Sequence, residues 1–341
     1  MLYKVIDKPD LELLFNTFLG NATVIAPIKT GKSYSFSEVH SFDEVELDYH
    51  TTLTSLKKFF IPKHETLFEF DENNEIHDCE IYPRSRVLFG AHACDINAIN
   101  NLNLVFEDQE RPDPYYKKRK SKTMIVGISC MPTKTCFCHN LGVQEAKGGY
   151  DLFLQDLGDR YFVSIGSVEG ADVLESSCSP RDTTDEDRKL FLERTRLRQE
   201  AFSKEIPEIQ EIPMLMDAFH DDPFWEEMGK KCLSCTACAQ VCPTCYCFNI
   251  IDTLNANGKG GKRERIPDCC TNPEFAQVTG GFNFRDSNVS RVRHRMYHKL
   301  NGFYSKYDRY LCVGCGRGAR ACKAGISPSE VLKFFANKEF E

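Results

Sequence analysis

What this sequence lacks narrows it first. No apolar run approaches the ~18 residues that a helical membrane span needs. The opening MLYKVIDKPDLELLF has no basic segment followed by an apolar stretch, so no secretory leader is expected. Positive charge is not in excess: 43 Lys and Arg against 50 Asp and Glu give a net charge of −7 and a pI near 5.8. That balance argues against nucleic acid as the main partner. Phosphate-binding loops are missing too. No GxGxxG follows an apolar run, and the TGKS at Thr30–Ser33 has Ala26 where the first glycine of a P-loop belongs, so it reads as a turn. KGGKRER at 259–265 puts Arg263 after Lys262, where a phosphate loop needs Ser or Thr, and reads as a surface turn. No nucleophile–base motif is visible.

Cysteine, by contrast, is abundant, at 17 of 341 residues. Many cysteines without a secretion signal point to metal or redox chemistry in a reducing cytoplasm rather than to disulfides. Their spacing says which. Cys232-x-x-Cys235-x-x-Cys238-x-x-x-Cys242-Pro243 has the bacterial-ferredoxin pattern for a 4Fe–4S cluster. Three thiolates within seven residues reach three irons of one cubane, while the fourth cysteine ordinarily ligates a second cluster. Zinc prefers separated cysteine pairs, or cysteine pairs with histidine. A partner motif follows downstream, Cys312-x-x-Cys315-x-x-Gly318-x-x-x-Cys322, with one ligand missing and Lys323 in place of proline.

If ligands swap between the motifs, one cluster takes Cys232, Cys235, Cys238 and Cys322. The other takes Cys242, Cys312 and Cys315, with Gly318 where a fourth thiolate belongs. That second site could hold a 3Fe–4S cluster, recruit a spare cysteine, or accept water or another side chain. Cys79, Cys178, Cys245, Cys247, Cys269 and Cys270 are spare.

A third group lies upstream. Residues 86–90 (RVLFG) and 123–128 (TMIVGI) are apolar throughout, as buried strands of an α/β layer are. Each delivers cysteine at its C-terminal end, where open α/β sheets place their sites. Cys94 follows the first; Cys130, Cys136 and Cys138 follow the second. Four thiols there suffice for a further cubane, with His92 and Asp95 as supporting groups, substitute ligands or, for Asp95, a helix cap.

Around these motifs the chain reads as α+β. Residues 9–20 form an amphipathic helix, with strands at 23–28, 34–39 and 57–61 and a hairpin over 150–167. A capped helix spans 184–204. The expected division is an N-terminal α/β domain over 1–180 carrying one cluster, and a mainly helical ferredoxin-like domain over 181–341 carrying two. Residues 205–227 carry eight acidic residues and no Lys or Arg, whereas 285–309 carry seven Lys or Arg against two acidic residues. Each run reads first as a solvated face. The basic one would also offset anionic clusters and help dock a partner.

In order, GKSYSF, KKFFIP, FGAHACDINAI, GISCMPTKTCFC, YDLFL, the 232–247 run ending PTCYC, GGFNFR and YLCVGCGR span almost the whole chain. Together they resemble the beta subunit of cytosolic NiFe sulfhydrogenases and the A subunit of anaerobic sulfite reductase. The resemblance implies three iron–sulfur clusters and an electron-transfer subunit. Its partners would be a flavin- and NAD(P)H-binding gamma-type subunit and a catalytic or iron–sulfur relay subunit. It carries over Cys94, Cys130, Cys136 and Cys138, and the seven cysteines of the ferredoxin-type motifs, as cluster ligands. Gly318 departs from the pattern. The competing reading is a thiol–disulfide reductase, since Cys238, the Cys269–Cys270 pair and Cys312-x-x-Cys315 loosely resemble the double-cysteine motif of heterodisulfide reductases, with Thr271 after the pair instead of glycine.

Overall fold

In the computed structural model, which describes residues 2–73, 75–79, 84–206 and 211–338, the apolar runs become the centre of a large sheet. In chain order the strands begin with β1 (Leu2–Asp7), β2 (Thr23–Thr30), β3 (Ser33–Glu38), β4 (Glu65–Phe70), β5 (Ile76–Asp78) and β6 (Arg86–Ala91). Then come β7 (Thr123–Ile128), β8 (Leu152–Asp156), β9 (Arg160–Ile165) and β10 (Arg181–Asp182). Much later follow β11 (Phe248–Leu254) and β12 (Gly261–Pro267). The first sheet runs β10-β1-β9-β8-β7-β6-β2-β3. β2, β6, β7 and β8 are parallel at its centre, and antiparallel strands flank them.

The central strands are apolar throughout because both their faces are covered. Val87, Phe89 and Val126 meet Leu11, Leu14, Phe15 and Phe18 of the helix Asp10–Asn21. Leu88 and Ile125 face the other way, onto Ile96, Ile99 and Leu102 of the helix Ala93–Phe106. Each such side chain contributes roughly 1.5–3 kcal/mol on burial. β6 and β7 therefore end at one edge, where Cys94 opens a helix and Cys130 starts a loop. The expected hairpin is β8–β9, and Thr184 and Asp187 form the capping box of the helix Asp185–Glu200. TGKS is the turn between β2 and β3, with Gly31 at φ 61°.

Two expectations are corrected. Residues 57–61 are not a strand. Leu56–Phe59 is a short 3-10 helix, and Leu56 and Phe60, four residues apart, are both buried, a helical rather than an alternating pattern. Nor is 259–265 wholly a surface turn: from Gly261 onward it is β12, paired with β11 on one side and β4 on the other.

That pairing matters for the architecture, because the second sheet, β11-β12-β4-β5, crosses the division expected near residue 180. Arg265, buried on β12, donates from Nε to Glu65 Oε2 at 2.7 Å and also pairs with Asp113. The rest of the C-terminal part is helical. Trp225, Met216, Met296, Leu300, Leu332 and Phe335 form its core, and the Trp225 indole donates to the Phe219 carbonyl at 2.9 Å. The acidic run contributes to this core through Ile212, Met216, Phe224 and Trp225, although 207–210 lie outside the described residues. Among the described residues no helix is long and apolar enough to cross a membrane.

The two parts meet at cysteine-bearing loops. Phe137 is buried in the C-terminal core, and its N–H donates to the Gly314 carbonyl at 2.8 Å. Gly314 has φ 61°, and a Cβ there would stand 2.3 Å from the Cys138 nitrogen. Both the left-handed backbone and the close approach require glycine. Gly314→Ala should lower the unfolding free energy by about 2–4 kcal/mol. An unchanged denaturation midpoint would show that the two loops are not pressed together there.

Candidate metal centres

The two downstream motifs trace the same backbone path. In the first, Ser234 has φ 49° and Thr236 φ 61°. In the second, the residues at the same offsets, Gly314 and Gly316, have φ 61° and 70°. These left-handed residues bend the chain into tight turns between successive cysteines. For Ser234 and Thr236 they cost on the order of 1 kcal/mol or more each, strain that tends to be kept where a site uses it. Each motif then enters a short helix, Ala237–Gln240 or Arg317–Ala321, and the two helices pack together. With these helices packed together, the last cysteine of each motif meets the first cysteines of the other.

Cys232, Cys235, Cys238 and Cys322 line one cavity, walled by Val292, Met296 and Ile326. Cys242, Cys312 and Cys315 line a second, together with Gly318 and Lys299. A Cβ at Gly318 would meet nothing within 4 Å, so the missing side chain is not replaced by a neighbouring group. Upstream, Cys94, Cys130, Cys136 and Cys138 gather at the sheet edge. Burial pushes the Cys130 thiol up to about 12, against Arg198 and with Cys136 adding to the rise. Burial also raises Cys138 well above its usual range, with Cys130, Cys136 and Cys315 adding to it. Cys94 packs with Ala98, Val313 and Cys315, so the upstream group abuts the second cavity.

Zinc does not fit this arrangement. A tetrahedral Zn–S₄ site with bonds of 2.3 Å puts its sulfurs about 3.8 Å apart. Among the described residues, the one group of three or more ligating side chains with atoms within 4.8 Å of one another is Asp71, Glu75 and His77, on and beside β5 and without a cysteine. All 17 cysteines are free. Thiols lining cavities and held apart suit a bulkier inorganic core than one ion.

Charge says the same. Arg295 and Lys299 come from the basic run, on the helix Asn288–Tyr297 and the π-helical turn His298–Gly302 that continues it, and both are buried. For these two residues the solvated-face reading is corrected. Arg295 Nη1 lies 3.3 Å from Cys245 Sγ, and its Nη2 donates to the Cys238 carbonyl at 3.0 Å. Lys299 Nζ donates to Cys242 Sγ at 3.1 Å. Burial alone would push the Lys299 ammonium down, but the Cys242 and Cys245 sulfurs raise it. Cys242 is held well below the usual thiol range by a hydrogen bond from Cys245, helped by Lys299 and Arg295. Asp95 does not cap its helix; its Oδ2 accepts from buried Arg317 Nη2 at 2.7 Å. Arg317 Nη1 is buried without a hydrogen-bond partner among the described residues. His92 is buried, stacked on Tyr49 at 3.9 Å, and burial lowers it to about 3, so it is neutral. Arg198, buried and paired with Glu145, faces Cys130 and Cys138.

Of these four buried cations, sequence reasoning missed Arg198 and Arg317, and placed Arg295 and Lys299 only within a basic run whose cluster-offsetting role stood second to a solvated face. A signal existed for two of them. Arg291, Arg295 and Lys299 each precede a core residue, Val292, Met296 or Leu300, at a steady four-residue period. Of the spare cysteines, Cys269 is close enough to Cys238 to raise its thiol, though burial is the larger cause.

Comparison with known proteins agrees with this chemistry. Residues 231–326 match the family model for a 4Fe-4S dicluster domain. The chain is 38% identical over 319 residues to Sulfhydrogenase 2 subunit beta of Pyrococcus furiosus, covering 93% of this chain and 93% of that protein. No solved structure matches it. The match over nearly the whole length, with the dicluster domain where the paired motifs stand, places this chain in the sulfhydrogenase beta-subunit family, as an iron–sulfur electron-transfer subunit.

Proposed function

We propose that the chain relays single electrons through three clusters between a flavin- and NAD(P)H-binding subunit and a catalytic or iron–sulfur relay subunit of a cytoplasmic oxidoreductase. The clusters are held by Cys232, Cys235, Cys238 and Cys322; by Cys242, Cys312 and Cys315; and by Cys94, Cys130, Cys136 and Cys138. The observation that carries this reading is the exchange of cysteines between motifs, with Cys322 in the cavity of Cys232 and Cys242 in the cavity of Cys312. An iron–sulfur cluster, when bound, supplies a one-electron carrier whose potential follows its charge surroundings.

The chain's own part is positioning and charge. Arg295 lines both downstream cavities, and Cys315 touches Cys94, so the three sites are contiguous. A buried cation beside a cluster favours the reduced form, which carries one more negative charge. Lys299 does this for the site that has only three cysteines.

Three outcomes test the assignment. Cys232→Ser should remove about four iron atoms per chain and block reduction of the downstream acceptor in the assembled complex; unchanged iron would sink the assignment. Gly318→Cys has room for its side chain and should turn the three-cysteine site into a full cubane, read as a new low-temperature EPR signal. Lys299→Met should lower the midpoint potential of that site by roughly 60 mV, the one-electron equivalent of about 1.4 kcal/mol. Redox titration showing no downward shift would remove Lys299 from that role.

A further inference from the structure

One cavity belongs to none of these sites. The hairpin β11–β12 closes at its base through the Asp268 N–H donating to the Cys247 carbonyl at 3.0 Å, with Phe248 opposite Pro267. That pairing sets Cys245 and Cys247, just before the entering strand, against Cys269 and Cys270, just past the leaving one. All four line one cavity, together with Arg295 and Lys299. Cys269 and Cys270 are buried, and Cys269 Sγ lies 3.1 Å from Thr271 Oγ1.

A vicinal pair of buried cysteines alone would be two small apolar side chains. That account explains their burial but not the two cations in the same wall. Neutral thiols do not compensate a guanidinium and an ammonium taken out of water, a transfer that costs several kcal/mol per ion. Arg295 also lines the cavities of Cys232 and Cys242, so part of its charge is claimed there. A disulfide is absent from all four residues, and no three of these sulfurs come within 4.8 Å of one another, as a zinc site would need. Thiols beside a positive wall are also found at the two downstream cavities, four at one and three at the other.

We propose that Cys245, Cys247, Cys269 and Cys270 hold a fourth iron–sulfur cluster, a cubane lying against Arg295 beside the Cys242 site. The proposal rests on the reading that this chain carries iron–sulfur clusters, and extends it to residues outside the ferredoxin-type motifs. Thr244, Arg295 and Lys299 line both this cavity and that of Cys242, so the two sites are neighbours. An electron at one has a direct route to the other, with no atom transferred. The relay then branches at the three-cysteine site rather than ending there.

The test is iron and acid-labile sulfide content of the full chain, prepared without oxygen, in the wild type and in the double variant Cys247→Ser/Cys270→Ser. Four clusters give about fifteen or sixteen irons per chain and three give about eleven or twelve. The expected result is the higher number in the wild type and a loss of about four irons in the variant, with the remaining iron retained. Cys178→Ser, at a cysteine outside all three cavities, should change nothing. Iron equal in wild type and double variant overturns the proposal while leaving the relay reading intact, and shows that Cys245 serves the Cys242 site or none. Zinc in place of the lost iron also overturns it. A wild type without iron would remove the relay reading itself. Should the double variant not fold, the wild-type content decides, since about twelve irons or fewer leave no place for a fourth cluster.

Discussion

The cations buried beside sulfur constrain this structure more than any apolar contact does. Arg295 and Lys299 are both nearly inaccessible, and Arg295 borders three cysteine-lined cavities. An uncompensated buried charge is strongly destabilising, by about 3–5 kcal/mol when a partner is removed. Carboxylates could offset such charge, as Asp95 does for Arg317. The side-chain hydrogen bonds of Arg295 and Lys299, however, run to the Cys245 and Cys242 sulfurs, a backbone carbonyl and the Thr244 hydroxyl. The protein has thus placed positive charge where only sulfur-bound negative charge can meet it. That makes metal loading and folding one problem, because ligand thiols lose their protons as they bind.

The fold supplies that arrangement by bringing distant segments together at a few tight points. Parallel strands β6 and β7 carry Cys94 and Cys130 to one sheet edge. Gly314 and Gly316 let the second motif press against the 135–138 loop, with Thr135 oxygens standing where a Cβ on Gly316 would go. Arg317 then reaches across to Asp95 and Thr52. The β11–β12 hairpin fills much of the long interval between motifs and anchors itself on β4 through Arg265 and Glu65. None of these contacts is large. Each one nevertheless fixes a cysteine-bearing loop relative to another, and electron transfer depends on that spacing.

Much of this was readable beforehand, for a definite reason. The spacing of Cys232 to Cys242 is dictated by the geometry of a cube and hardly at all by the surrounding fold, so the grouping of Cys322 with Cys232 could be inferred without knowing how the chain runs between them. The strands at 86–91 and 123–128 were equally legible, since strands covered on both faces are apolar at every position. Tertiary context hid the rest. Arg295 and Lys299 look like an exposed basic face until the helix is seen pressed into the cysteines. Leu56 to Phe60 looks like a strand until its burial shows a helical period. The grouping of Cys245 and Cys247 with Cys269 and Cys270 depends on a hairpin whose register was not read in advance, since 259–265 looked like a turn.

The three-cysteine site shows how these features combine. Gly318 removes one negative thiolate from it, and Lys299 adds a positive charge at 3.1 Å from Cys242. In the proposed relay both features favour an added electron at that site, while the cavity of Cys232 has its own pair of cations, Arg295 and Lys323. The same site touches Cys94 on one side and, through Cys242 and Cys245, the hairpin cysteines on the other. The middle of the proposed relay is therefore where the protein sets the balance between holding an electron and passing it on, through one absent thiolate and one buried lysine.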